Sequence, residues 1–274
     1  MDSIYNNENI NFRDHINSYS LEEQEKFVKD GLCLSSIIAA KPIVKLPFSG
    51  LSDWPEDLYL RDKKRITFVA KEANKESGQD YRDWRWFEKG DKTAMKKVIG
   101  GLMEGLHITT SDYLPHYTDE DLVQNIYRAF PIYPFAFCNI KKLSGGNKSD
   151  MDEIWEYAKR DQIYLQHHLR NILQSNIIVC FGSTVSKRAK DQKKKMINLV
   201  KDIIYPDIKE KFREINDYCH YNAEDDILLI DSYHFSYPDN GGWKADFLVN
   251  HLLSAFQEFI RIEKYKNCLF YTEF

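Results

Sequence analysis

The side chains best suited to chemistry in this chain stand close behind short apolar runs. His234 follows DILLIDSY (Asp226 to Tyr233), and an imidazole, with a reference pKa of about 6.5, exchanges protons and hydrogen bonds near neutrality. Asn139 closes YPFAFCNI (Tyr133 to Ile140); a carboxamide carries donor and acceptor in one plane and can read the edge of a base or cap a turn. Glu72 follows RITFVAK (Arg65 to Lys71). It can orient or deprotonate a water, or close an ion pair with Lys71 or Lys75. A fourth run, NIIVCFG (Asn176 to Gly182), leads into a small-residue turn at Ser183 and Thr184, and Ser236 stands two places beyond His234.

Two further segments suit a polyanion. Asp80 to Phe87 holds four aromatics, including Tyr81, Trp84 and Trp86, and two arginines in eight residues, a mixture that stacks on bases and meets phosphates or else packs into a core. Thr184 to Ile215 carries ten Lys/Arg, Lys187 and Arg188 among them, against five acids, in a chain of net charge −4. Met196, Leu199, Val200, Ile203 and Ile204 fall at helical spacing there, so the basic residues also fit a solvated helix face.

The elements that must position these groups are legible as periodicity. The four apolar runs read as buried strands, and between and after them lie helical patterns at Lys92 to Leu106, Asp119 to Phe130, Asp150 to Gln174 behind a Ser149 cap, Val185 to Ile204 and Lys244 to Lys264. The expected fold is a three-layer α/β/α sandwich with a four-stranded, mainly parallel central sheet. Ligands of such sheets bind beyond the carboxyl ends of the strands. Residues 61–274 form this domain, and residues 1–60 an N-terminal helical or irregular extension packed on it. In that extension Ser20 and Glu23 make a capping box before EEQEKFVKD, and Gly31 is the stop.

Composition narrows the class. With 274 residues, 43% hydrophobic and 14% aromatic, the chain can bury a substantial core. The five cysteines include no C-x-x-C pair, so no zinc site, redox motif or iron–sulfur cluster is expected, and no other cofactor. The N-terminus has neither the basic flank nor the apolar stretch of a signal peptide, and no run is long enough to span a bilayer. A cytoplasmic monomer without membrane contact is the expectation. G-x-S-x-G, G-x-x-x-x-G-K-[ST] and a G-x-G-x-x-G behind a strand are all missing, which weakens a nucleotide or small-ester hydrolase.

In order, the strand-end motifs are KEAN, CNIKK, FGST and YHFS. This series resembles the uracil-DNA glycosylase superfamily from Arg65 to about Leu253. The resemblance implies a DNA glycosylase that flips a base out of the duplex and hydrolyses its N-glycosidic bond. By it, His234 and Ser236 match the ends of a His-x-Ser motif, with Phe235 where Pro is usual, and His234 stabilises charge on the leaving base. Asn139 would read the flipped base and Tyr81, Trp84 or Trp86 would stack on it. Lys141, Lys142 and the Ser183 turn would grip backbone phosphates, joined by Lys187, Arg188 and Tyr237, with Tyr237 or Trp243 as the wedge that fills the vacated stack. Glu72 matches the Glu of subfamilies whose motif reads Glu-Ala-Pro-Gly, with Ala73 at the place of a water-activating Asp elsewhere. Asn74 and Lys75 replace the Pro-Gly; a flexible lysine is a poor steric gate against a thymine methyl, which directs the expectation beyond uracil to damaged or hypermodified bases, in repair or antiviral defence. A non-catalytic binder of modified bases or nucleotides is the alternative.

Overall fold

The computed structural model describes residues 3–33, 55–74, 80–83, 93–145, 150–183, 195–235 and 244–262. The four apolar runs are strands, as expected: β2 (Ile66–Asn74), β3 (Ala136–Gly145), β4 (Ile177–Ser183) and β7 (Ile227–Tyr233). They lie side by side in the order β3-β2-β4-β7, all parallel. The sheet is larger than the four-stranded one expected. Three short strands extend it to seven: β1 (Gly31–Leu32) pairs antiparallel with β3, and β6 (Cys219–Asn222) and β5 (Arg213–Glu214) continue antiparallel beyond β7. Edge strands of two to four residues are too short to show an alternating pattern in sequence.

Side chains of the central strands alternate between two cores, the reason their sequences read as continuous apolar runs. Phe68, Phe137, Val179 and Ile230 face the helices α4 (Ala94–Ile108), α5 (Asp119–Ile132) and α9 (Ala245–Arg261). Val69, Cys138, Ile178 and Leu229 face α6 (Met151–Arg160), α7 (Gln162–Gln166) and α8 (Met196–Leu199). The Gly100-Gly101 pair of α4 is a packing point: a Cβ on Gly101 would stand 2.5 Å from Leu122 of α5 and 3.1 Å from Val249 of α9.

Two long helical patterns are interrupted. The pattern from Asp150 starts on the cap Asp150, stops at Asp161 and resumes as α7, which widens into a π turn at His167–Ile172. Asp161 is buried at the break, accepting from Tyr19 Oη and from Arg160 Nε at 3.1 Å. Within the pattern over Val185 to Ile204 a helix starts at Met196, with Lys195 extended (ψ 148°) as its N-cap; residues 184–194 lie outside the described ones. From Met196 the helix passes into a second π turn at Val200–Ile204.

The N-terminal segment is built into the sheet and core. Its capping box is present at Ser20 and Glu23 but supports a single turn, α2 (Leu21–Gln24), after which the chain bridges to β3 and enters β1. A fourteen-residue helix that periodicity missed, α1 (Ile4–Asn17), precedes it. One more helix, α3 (Pro55–Arg61), leads to β2.

Candidate functional site at the strand carboxyl ends

In the order β3-β2-β4-β7 the connections reverse direction at β2. From β2 the chain crosses to β3 on one side through α4 and α5, then returns over the other face through α6 and α7 to β4 on β2's opposite flank. The switch point therefore lies between the carboxyl ends of β2 and β4, where an open α/β sheet leaves a crevice. Both strands bulge there, β2 between Glu72 and Asn74, β4 between Phe181 and Ser183, and bulges re-aim side chains beside functional sites.

The bulge on β4 is Gly182, whose φ of +145° suits glycine alone. Its bare Cα gives passage to the Lys71 side chain from β2: a Cβ there would lie 2.7 Å from Lys71 Cε. On the far side of β4 stands His234, half-buried at the end of β7. Burial first, and the Lys71 charge second, push its imidazole down to about 4, so it is neutral at pH 7. Burial likewise lowers the Lys71 ammonium, against the pull of Glu72. Phe235 turns back over the sheet, its ring 5.3 Å from Phe181 and 6.5 Å from Phe137, and Tyr81 lies 6.0 Å from Phe137. Tyr81 thus packs into the core behind this aromatic row.

The remaining expected residues divide. Glu72 is buried and forms no salt bridge with Lys71. Parallel register sets it opposite Lys141, whose Nζ lies 2.9 Å from Glu72 and 2.8 Å from Glu153 of α6. Asn139, Lys141 and Lys142 are not at a strand end, because β3 runs on to Gly145. Asn139 is buried, and Asp30 Oδ2 accepts both its backbone N–H at 2.8 Å and its side-chain N–H at 3.1 Å. The other Asp30 oxygen pairs with the buried Lys142 ammonium. The two lysines are therefore satisfied inside the protein rather than presented to a phosphate. Of the Asn139 amide, which is 1% exposed, one N–H and the carbonyl oxygen have no partner among the described residues, so Asp30 fixes a buried amide with a donor and an acceptor uncommitted.

Beneath this edge lies a polar network supplied by α1. Glu8 accepts from Leu32 N (3.0 Å) and Arg82 (3.2 Å), and meets His168 Nε2 at 2.8 Å. Burial pushes its carboxyl up to about 7 against the opposing Arg82 charge. Asp30, Cys138 and His168 bring one ligand atom each within 4.8 Å of one another, a donor set able to hold a metal ion. Lys142 already supplies the positive charge on that Asp30, and His168 is engaged by Glu8. Cys33, Cys138, Cys180 and Cys219 are free, buried thiols whose ionisation burial pushes up.

Lys75, Trp84, Trp86, Lys187, Arg188, Ser236, Tyr237 and Trp243 lie outside the described residues, as do the side chains of Asn74 and Ser183. In the described part of the basic segment, Lys195 pairs with Asp231, Lys209 with Asp202 and Lys211 with Glu224, while Lys201 bonds His220. A separate open cleft, lined by His116, Asp246, Phe247, Asn250 and His251, includes none of the residues singled out in the sequence. In the sequence Lys71 stood only as a possible ion-pair partner of Glu72, and Asp30 and Glu8 had no role. Only Lys71 carried a signal, as a lysine closing an apolar strand. Comparison with protein-family models, curated proteins and solved structures finds no significant match to this chain. Among the described residues no helix is long and apolar enough to cross a membrane.

Proposed function

We propose that this protein is a DNA glycosylase related to the uracil-DNA glycosylases, hydrolysing the N-glycosidic bond of a flipped uracil-like, damaged or hypermodified base in the crevice above β2, β4 and β7. One observation carries the reading: His234, at the end of β7, is held neutral beside an ammonium. A neutral imidazole there can donate a hydrogen bond to a base oxygen as the C1′–N bond breaks and its electron pair moves onto the base. Water supplies hydroxide to C1′ of the oxocarbenium-like sugar, and its proton completes the free base. Asn139, oriented by Asp30, keeps a donor and an acceptor for a base edge. DNA is the partner; repair or antiviral defence the role.

A second reading, a non-catalytic binder of modified bases or nucleotides, is favoured by Glu72. Its carboxylate is committed to Lys141, and Ala73 follows it where other subfamilies activate water. The test is incubation with oligonucleotides carrying uracil, damaged bases and hypermodified bases, followed by cleavage at abasic sites, for the native chain and His234→Ala. Release that His234→Ala abolishes supports the glycosylase. No release from any oligonucleotide that the native chain binds leaves the binder.

A further inference from the structure

Among the described residues, the lysines near this end of the sheet are matched to carboxylates with one exception. Lys141 has Glu72 and Glu153, Lys142 has Asp30 and Lys195 has Asp231. Lys71, half-buried between them on β2, has no hydrogen bond or ion pair among the described residues. Glu72, its neighbour in sequence, faces Lys141 instead. A desolvated ammonium without a hydrogen-bonded counterion is unfavourable, and here the bare Cα of Gly182 gives it room. The position is also the switch point, where this fold class receives ligands. One strand, β4, separates β2 from β7, so the backbones carrying Lys71 and His234 stand about 9–10 Å apart. A nucleotide whose base is held at His234 extends its phosphate across a comparable span.

We propose that Lys71 is the phosphate subsite of this crevice, the cation that meets the phosphate attached to the nucleotide whose base His234 holds. The base at His234 is taken from the glycosylase reading; the subsite is argued from the geometry around Lys71. The site has a built-in reporter. The Glu72 charge acts on Lys71, and the Lys71 charge acts on His234. Phosphate on Lys71 neutralises the charge that depresses His234, so occupancy raises the proton affinity of the imidazole.

The experiment follows the His234 ring proton by NMR through the acid-to-neutral range, in the full chain at constant ionic strength, with sodium chloride or with inorganic phosphate. The midpoint rises by about one unit in phosphate. In Lys71→Gln it is already raised and no longer responds, and in Lys71→Arg the response is kept. His220, whose own depression comes from burial, Lys201 and Lys195, reports that each variant is folded by staying where it is. An unchanged His234 midpoint in phosphate, or an equal response in folded Lys71→Gln, overturns the subsite. Covalent trapping of Lys71 by borohydride during base release would also overturn it, by making the amine a nucleophile. Because the titration needs no turnover, failure of base release with the phosphate response intact removes the glycosylase reading alone.

Discussion

Asp30 Oδ2 accepts two hydrogen bonds from one residue, the backbone and the side-chain N–H of Asn139, while Asp30 Oδ1 pairs with Lys142. One carboxylate from the N-terminal segment therefore neutralises a buried ammonium and sets the orientation of the amide proposed to read the base. Removing one partner of a buried ion pair leaves the other charge uncompensated.

Asp30→Ala is accordingly expected to lose about 3–5 kcal/mol of stability in urea unfolding. Adding Lys142→Met removes the orphaned charge and restores part of that loss, without restoring the Asn139 orientation. If the single and double variants unfold alike, the Lys142 charge is not the source of the cost.

Glu8 gives a pH signature. Its folded pKa of about 7 lies above its ordinary 4.5, so the folded state holds this proton more tightly than the unfolded state. The stability it contributes is complete below about 4.5 and is lost as pH rises through 7, about 3 kcal/mol at most. His220 and His234, both lowered to about 4, act oppositely: their contribution is present above their ordinary value and lost as pH falls toward 4. The measurement is thus the difference between native and Glu8→Gln stability at each pH, which should grow in favour of Glu8→Gln between 4.5 and 7. A flat difference would contradict the assignment.

The contrast between what the sequence discloses and what it conceals has a physical pattern. The four parallel strands were legible because both faces are buried, which forces runs such as NIIVCFG. α1 was not, because its buried face presents Glu8, Asn11 and His15 beside Phe12, and polar residues satisfied by distant partners erase hydrophobic periodicity. Partners at the site were concealed for a related reason. Lys71 and Lys75 are the neighbours of Glu72 along the chain, but strand register selects Lys141, 69 residues away. Asp30 reaches Asn139 across 109 residues. The parallel strands and their carboxyl ends were legible, since alternating strands and helices imply a parallel sheet. The switch point between β2 and β4, which distinguishes Lys71 from other lysines, appears only once strand order is known.

Gly182 is expected to resist substitution for two separable reasons. Gly182→Ala must adopt φ near +145° and must displace Lys71 Cε from 2.7 Å. The combined loss should be about 1–3 kcal/mol or more in chemical unfolding. In a Lys71→Ala background the steric part vanishes and the backbone part remains, so the penalty shrinks without disappearing. An identical penalty in both backgrounds would mean that Lys71 does not cross this glycine.

The pH dependence of base release separates a neutral His234 from an ordinary one. If the neutral imidazole is the hydrogen-bond donor to the departing base, activity is present above its pKa and lost as pH falls through about 4. Between pH 5 and 8 kcat/KM then stays flat, whereas a histidine with the reference pKa would place the acid limb near about 6.5. Removing the donor in His234→Ala should reduce kcat about 100- to 1000-fold, the range for losing one preorganised donor to a developing anion. In Lys71→Gln the acid limb should move upward, because the charge that depresses His234 is gone, and that shift ties the chemistry at β7 to the lysine on β2. An acid limb that stays near 4 in Lys71→Gln would leave desolvation alone as the cause of the neutral imidazole.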